Sequence, residues 1–303
     1  MFYSQVVYGG IAIFQQTIAR PVTCRGPALH LGREIELTLY PGPVDSGLVF
    51  RRADLPGRPA VRATVANVVD TRRCMTIGTD GWRISTIEHL AAAAHGAGID
   101  NLLIEVDGGE LPVGDGSALF FMDLLNRAGL VGQEKPRRVW QVSTPVWVAE
   151  NDSYLIVLPP GRPCLSISYT FCADKRAIGS QHHQFHLGED DFAREIAPAR
   201  TVAFLEEIEA LRREGLAQST DTDVVVVVGP DGYLNSLRLP DEIVRHKILD
   251  LLGDLYLFGR LYGRIVAVRS GHRLNHRLGQ ELCRSAFLTA PAAVAGEAEG
   301  QKS

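Results

Sequence analysis

The chain has 303 residues, 46% of them hydrophobic and 22% charged, with a formal net charge of -4. Such a chain is soluble-globular, buries about three quarters of its unfolded surface and divides into two domains of ordinary size. Its slight acid excess offers no basic footprint and argues against nucleic-acid binding.

The N-terminal stretch MFYSQVVYGGIAIF lacks a basic leader and is too short in its apolar run to span a bilayer. Residues 17–86 read mostly as strands. REIELTLYP alternates, GLVFRRAD follows a PVDSG turn, and MTIGTDGWRIS carries a hairpin signal at TDG. The period then changes. STIEHLAAAAHGAG reads as a helix, NLLIEVDGG as a buried strand and GSALFFMDLLNRAG as a second helix. GQEKPRR, charged and proline-bearing, is the linker candidate.

Strands resume in VWQVSTPVWVAE, YLIVLPPG, CLSISYTF and HQFHL. Helix-prone DDFAREIA and FLEEIEALRREG follow, then a strand-like valine run with a GPDG turn. Helix PDEIVRHKILDLLGDLYLFG, strand GRIVAVRSG and helix NHRLGQELCRSAF close the chain. Both halves thus end in helix, strand, helix after a run of strands. The expectation is an α+β fold of two duplicated domains, 15–133 and 137–290. Each packs two helices on a mainly antiparallel sheet. The second carries an insert at about 203–235, and the tail 291–303 is expected to be disordered. A site at the junction of such halves is a common arrangement.

The cysteines are Cys24, Cys74, Cys164, Cys172 and Cys283, an odd number without CxxC spacing. Neither a disulfide framework nor a cysteine zinc site is expected, and a reducing cytoplasm fits. Chemistry resides instead in RHKILDLLGDLYLFG, where His246, Asp250 and Asp254 recur every four residues along an apolar helix. His and Asp one turn apart suit two ligands of a divalent ion, zinc or a similar metal. The competing reading is a buried ion pair. Unpaired carboxylates on such a face are costly, which favours a partner for them.

His89, on the matching helix of the first half, is the candidate third ligand, or else an interface histidine. Glu88 beside it is a candidate general base, although Ser85 and Glu88 also read as a capping box. Consecutive helix residues point about 100° apart, so the two would flank one ion rather than face it together. Three ligands leave a position for water. His272, in a loop after a strand, becomes a general acid if Asp254 orients it, and is otherwise a turn histidine. Thr201 offers a hydroxyl to an oxyanion, or simply starts a helix. His182, His183 and His186 read as polar residues of a sheet edge.

STIEHLAAAAHGAGIDN, ELPVGDGSA, ARTVAF, RHKILDLLGDLYL and SGHRLNHRL, in this order from about Thr17 to Ala290, resemble the UDP-3-O-acyl-N-acetylglucosamine deacetylases of lipid A biosynthesis. The resemblance implies zinc, with iron able to substitute, bound by His89, His246 and Asp250. It implies Glu88 as base, His272 as acid with Asp254 beside it, Thr201 at the oxyanion and Lys247 on the substrate's diphosphate or sugar. It also implies a small strand insert in the first domain and a βαβ insert in the second that forms an acyl passage. The expected partner is a small acylated UDP-sugar, and a cytoplasmic monomer is the default.

The sequence departs from that pattern at Val202 and Ala203, where the family has Phe, a substrate-packing residue, and Gly. It departs also at QSTDTD (218–223) and PALHLG (27–32). These positions bear on substrate and chain length, not on the metal or acid–base residues. A paralogue acting on another N-acetylated sugar conjugate, or a non-catalytic binding protein on the same fold, are the alternatives.

Overall fold

Alternation in EIELTLYP buries Ile35, Leu37 and Leu39 on one face of their strand, and the neighbouring strands repeat the pattern. A computed structural model describes residues 13–173, 178–213 and 223–288, to which the fold refers. Five strands of the first half form a sheet in the spatial order Val22–Pro27, Glu34–Pro41, Leu102–Val106, Leu48–Arg52, Ala60–Arg62. Five strands of the second half do the same: Val146–Glu150, Ser153–Leu158, Gly263–Val268, Leu165–Phe171, Gln181–Leu187. The two orders are equivalent strand for strand. Each sheet is antiparallel except for one parallel pair, Leu48–Arg52 with Leu102–Val106 and Leu165–Phe171 with Gly263–Val268.

A parallel pair needs a long crossover, and both crossovers carry what distinguishes the protein. The first holds a small three-stranded sheet (Val68–Asp70, Thr76–Thr79, Trp82–Ile84) and helix α1 (Glu88–Gly96). Helix α2 (Leu119–Ala128) completes that half. The second crossover passes through the edge strand Gln181–Leu187 and the short α3 (Phe192–Glu195). It continues into an insert of strand Thr201–Phe204, helix α4 (Leu205–Arg213) and strand Val225–Gly229, then α5 (Glu242–Tyr256). Helix α6 (His272–Ser285) ends the repeat. The insert strands Thr201–Phe204 and Val225–Gly229 run parallel, so the unit is βαβ. Both faces of Val225–Gly229 are covered, which explains its unbroken valine run.

Helices α1 and α5 pack directly against each other, and one apolar core runs through both halves. The alanines 91–94 thin the contact face of α1. On α5, Gly253 lies so close to α1 that a Cβ there would sit 2.1 Å from the Glu88 carbonyl oxygen. A helical glycine ordinarily costs about 1 kcal/mol relative to alanine; here backbone contact requires it.

The structure differs from the sequence-based expectation in four places. GQEKPRR is not a free linker: Leu130–Pro136 is a strand paired antiparallel with Phe14–Ile18. Its polar residues face solvent on a two-stranded ribbon, so no apolar alternation marked it. No capping box forms, because α1 begins at Glu88, and Ser85 is held by backbone bonds to Gly109 and Leu111. Thr201 opens a strand rather than a helix, since Arg200 is anchored by Glu242 and Thr201 N–H donates to the Gly116 carbonyl. His272 is the first residue of α6 and not a loop residue. Gln181–Leu187 is a sheet edge as expected. The tail 291–303 and positions 218–222 lie outside the described residues. Among the described residues no helix is long and apolar enough to cross a membrane.

Candidate metal centre

The α1–α5 contact brings His89, His246 and Asp250 together. All three are buried, and their donor atoms lie within 4.8 Å of one another. Asp250 Oδ1 is 3.3 Å from His246 Nε2 and 3.8 Å from His89 Nε2. The two imidazoles meet edge to face, with centroids 5.0 Å apart. One helical turn sets the His246–Asp250 pair, and the opposite helix supplies His89.

The surroundings prepare these atoms to bind a cation. His246 Nδ1 lies 3.0 Å from the Ala199 carbonyl, which only a protonated Nδ1 can satisfy, so the ring is oriented with Nε2 toward Asp250. Burial, with His246 adding to it, pushes His89 down to about 3, so that imidazole is neutral across the physiological range. Asp250 is held well below the usual carboxylate range. Burial opposes this, but His246 and Lys247 prevail. Lys247 Nζ donates to Asp250 Oδ2 at 2.9 Å, which leaves Oδ1 facing the histidines. The same contact raises Lys247 above the ordinary lysine value despite its burial. Two imidazoles and one carboxylate form a donor set suited to zinc or a similar divalent ion.

Two titratable groups flank this cluster. Glu88 Oε2 accepts from Met75 N–H at 3.0 Å. Burial pushes its carboxyl up to about 8; His272 opposes the rise, and the repulsion of Asp254 and Asp250 adds to it. Across from it, His272 Nε2 is 3.9 Å from Glu88 Oε1, while His272 Nδ1 sits 2.8 Å from Asp254 Oδ2. Burial alone would lower His272, but the charge and hydrogen bond of Asp254 take it up to about 10. Both groups are thus raised well above their ordinary values while the glutamate stays the more acidic of the two, the kind of perturbed pair that gathers at functional sites.

Thr201 lies two residues past Ala199, whose carbonyl holds His246. Val202 packs on the opposite strand face, with Val226, Val228 and Ile243. Ala203 lies on the Thr201 side, against an apolar cluster of Leu29, Val113, Ile208, Val225 and Val227.

Several supporting groups escaped sequence reasoning. Asn275 Nδ2 donates at 2.8 Å to the same Asp254 oxygen as His272. It sits one turn along α6 from His272, so i,i+3 spacing in SGHRLN was the available signal. The Met75 N–H and Ala199 C=O are backbone groups with no sequence signature. Thr86 is buried with φ +59°, an outlier for a β-branched residue that costs about 1–3 kcal/mol.

Comparison with known proteins places this geometry in a family. The model of the family described as LpxC, UDP-3-O-acyl N-acetylglycosamine deacetylase, matches residues 15–284. The chain belongs to that deacetylase family. Proteins named UDP-3-O-acyl-N-acetylglucosamine deacetylase align along nearly its whole length. That of Syntrophotalea carbinolica is 41% identical, covering 90% of this chain and 89% of its own. That of Myxococcus xanthus is 42% identical, covering 87% and 84%. That of Bdellovibrio bacteriovorus is 36% identical, covering 88% and 89%. The duplicated α+β architecture is that of the family, and the His89–His246–Asp250 cluster lies where its two halves meet.

Proposed function

We propose that the protein is a zinc-dependent amidohydrolase that removes acetate from the 2-acetamido group of UDP-3-O-(3-hydroxyacyl)-N-acetylglucosamine, the committed step of lipid A biosynthesis. It would act in the cytoplasm as a monomer of two domains, 15–133 and 137–290. The observation that carries the reading is the His89–His246–Asp250 cluster set between a buried Glu88 and an Asp254-paired His272. The names of the relatives supply the substrate class.

His89, His246 and Asp250 would hold a divalent ion, which when bound would supply Lewis-acid activation of water and of the amide carbonyl. Glu88 takes a proton from the attacking water; its raised proton affinity makes it a stronger base than an exposed carboxylate. Attack on the carbonyl carbon gives a tetrahedral oxyanion, toward which the Thr201 hydroxyl donates. His272, protonated at neutral pH, gives its proton to the sugar nitrogen as the C–N bond breaks. Acetate and the free amine leave. Asp254 holds the His272 ring by Nδ1, so Nε2 carries the mobile proton. Lys247 donates to the diphosphate or sugar; Val202, expected from the resemblance at a substrate-packing position, packs instead against Val226, Val228 and Ile243.

Metal analysis of the purified protein, together with mass spectrometry of products from the acylated substrate and from simple UDP-sugars, tests the reading. Acetate release from the acylated compound that a chelator abolishes is the expected result. Absence of any bound divalent ion, or turnover of the simple sugars alone, overturns it.

A further inference from the structure

Glu110 is a buried carboxylate outside the acid–base pair, 1% exposed. No guanidinium or ammonium forms an ion pair with it among the described residues. Its oxygens accept instead from the His30 N–H at 3.0 Å, the Leu31 N–H at 2.9 Å and the Thr86 hydroxyl at 3.1 Å. Three donors from two separate segments converge on one side chain.

Thr86 is the informative partner. It is the only β-branched residue with a positive φ among the described residues. It occupies the three-residue passage between strand Trp82–Ile84 and α1. On the N-terminal side the chain is fixed, because Ser85 N–H donates to Gly109 O and Leu111 N–H donates to Ser85 O. The left-handed turn at Thr86 then decides how α1 leaves the sheet. That direction sends Glu88 toward the Met75 N–H and His89, its immediate neighbour, toward Asp250. Consecutive helix positions diverge by about 100°, so small rotations of the first turn trade one group's aim for the other's. Nothing in the local chain favours φ +59° for threonine. The hydrogen bond from its hydroxyl opposes relaxation.

Resting on the proposed function for the roles of Glu88 and His89, we infer that Glu110 is a positioning residue. Its carboxylate clamps the left-handed Thr86 and so sets the aim of both the base and the first metal ligand. The other two bonds tie the clamp to the 27–32 loop. They use backbone N–H groups, so the side-chain departures in PALHLG leave them intact.

The test compares wild type with Glu110→Ala, Glu110→Gln, Thr86→Gly and the double variant Thr86→Gly/Glu110→Ala. Thermal unfolding establishes which are folded. Zn2+ affinity comes from competition with a chromophoric chelator, and the ligand field from the visible spectrum of the Co2+ form. Acetate release gives kcat and KM. Glu110→Ala should weaken Zn2+ binding about 10–100-fold, as loss of a supporting hydrogen bond does. It should alter the Co2+ spectrum and lower kcat, with KM changed less. With glycine at 86 no hydroxyl remains to clamp, so the further loss from Glu110→Ala should shrink. Should the alanine variant fail to fold, Glu110→Gln carries the same expectations in reduced size. A folded Glu110 variant with wild-type affinity, spectrum and kcat overturns the inference alone, as do strictly additive losses in the double variant. Failure of the wild type itself to bind Zn2+ overturns the proposed function and this inference with it.

Discussion

Gly253 of α5 presses its bare Cα against the carbonyl of Glu88 on α1, and no side chain fits between them. Alanine on an open helix face gains about 1 kcal/mol over glycine. Here the sign reverses. Gly253→Ala should destabilise by about 1–3 kcal/mol, the cost of overpacking a close contact, as read by urea unfolding. The displaced α1 carries Glu88 and His89, so Zn2+ affinity should fall in the same variant.

Removing the cluster's ligands has a thermal signature. An ion that binds only the folded state stabilises it by about 2.7 kcal/mol at a hundred times its dissociation constant. A chelator should therefore lower the wild-type melting temperature by several degrees. It should leave His246→Ala and Asp250→Ala unmoved.

The acid–base pair predicts a pH profile. His272 must be protonated to deliver a proton, and Asp254 takes its pKa up to about 10. Activity should persist at mildly alkaline pH and fall as pH rises through that value. Asp254→Asn removes the charge that favours the imidazolium, so the alkaline limb should move to lower pH. An unmoved limb in that variant would assign the alkaline limb to another group. Glu88→Ala should cost about 10²–10⁴-fold in kcat, the usual worth of a general base, with the fold retained by circular dichroism.

Asp100 accepts from both Arg137 and Arg260, at 2.9 and 2.8 Å, and joins the start of the second half to the end of α5. Burial alone would raise its carboxyl, but the two guanidinium groups hold it below the ordinary value. A depressed carboxylate stabilises above its unfolded pKa, and that contribution is lost as pH falls through the folded pKa. Asp100→Ala strands two buried cations and should cost about 3–5 kcal/mol. The acid-induced loss of stability should be shallower in the variant than in wild type.

What sequence could reveal follows from where the information resides. The i,i+4 stripe of His246, Asp250 and Asp254 is written in one helix. His89 emerged because the second half repeats the first. The mainly antiparallel sheets followed from alternation, and the duplication from the shared ending of the two halves; the spatial order of the strands did not. The Leu130–Pro136 strand did not, because its polar residues bury nothing that alternation could mark. The capping reading of Ser85 failed because a local rule ignored the pairing of residues 109–111 beside it. Glu110 lay in a DGGE turn pattern, and its partners, two amides and a hydroxyl, are distant or nearly featureless in sequence.

The cluster takes His89 from one repeat and His246 with Asp250 from the other. Each repeat by itself therefore holds only a fragment of a coordination sphere. A slide of α1 along α5 by one residue's rise, about 1.5 Å, would spoil the set. Ion retention thus reports the registration of the two repeats.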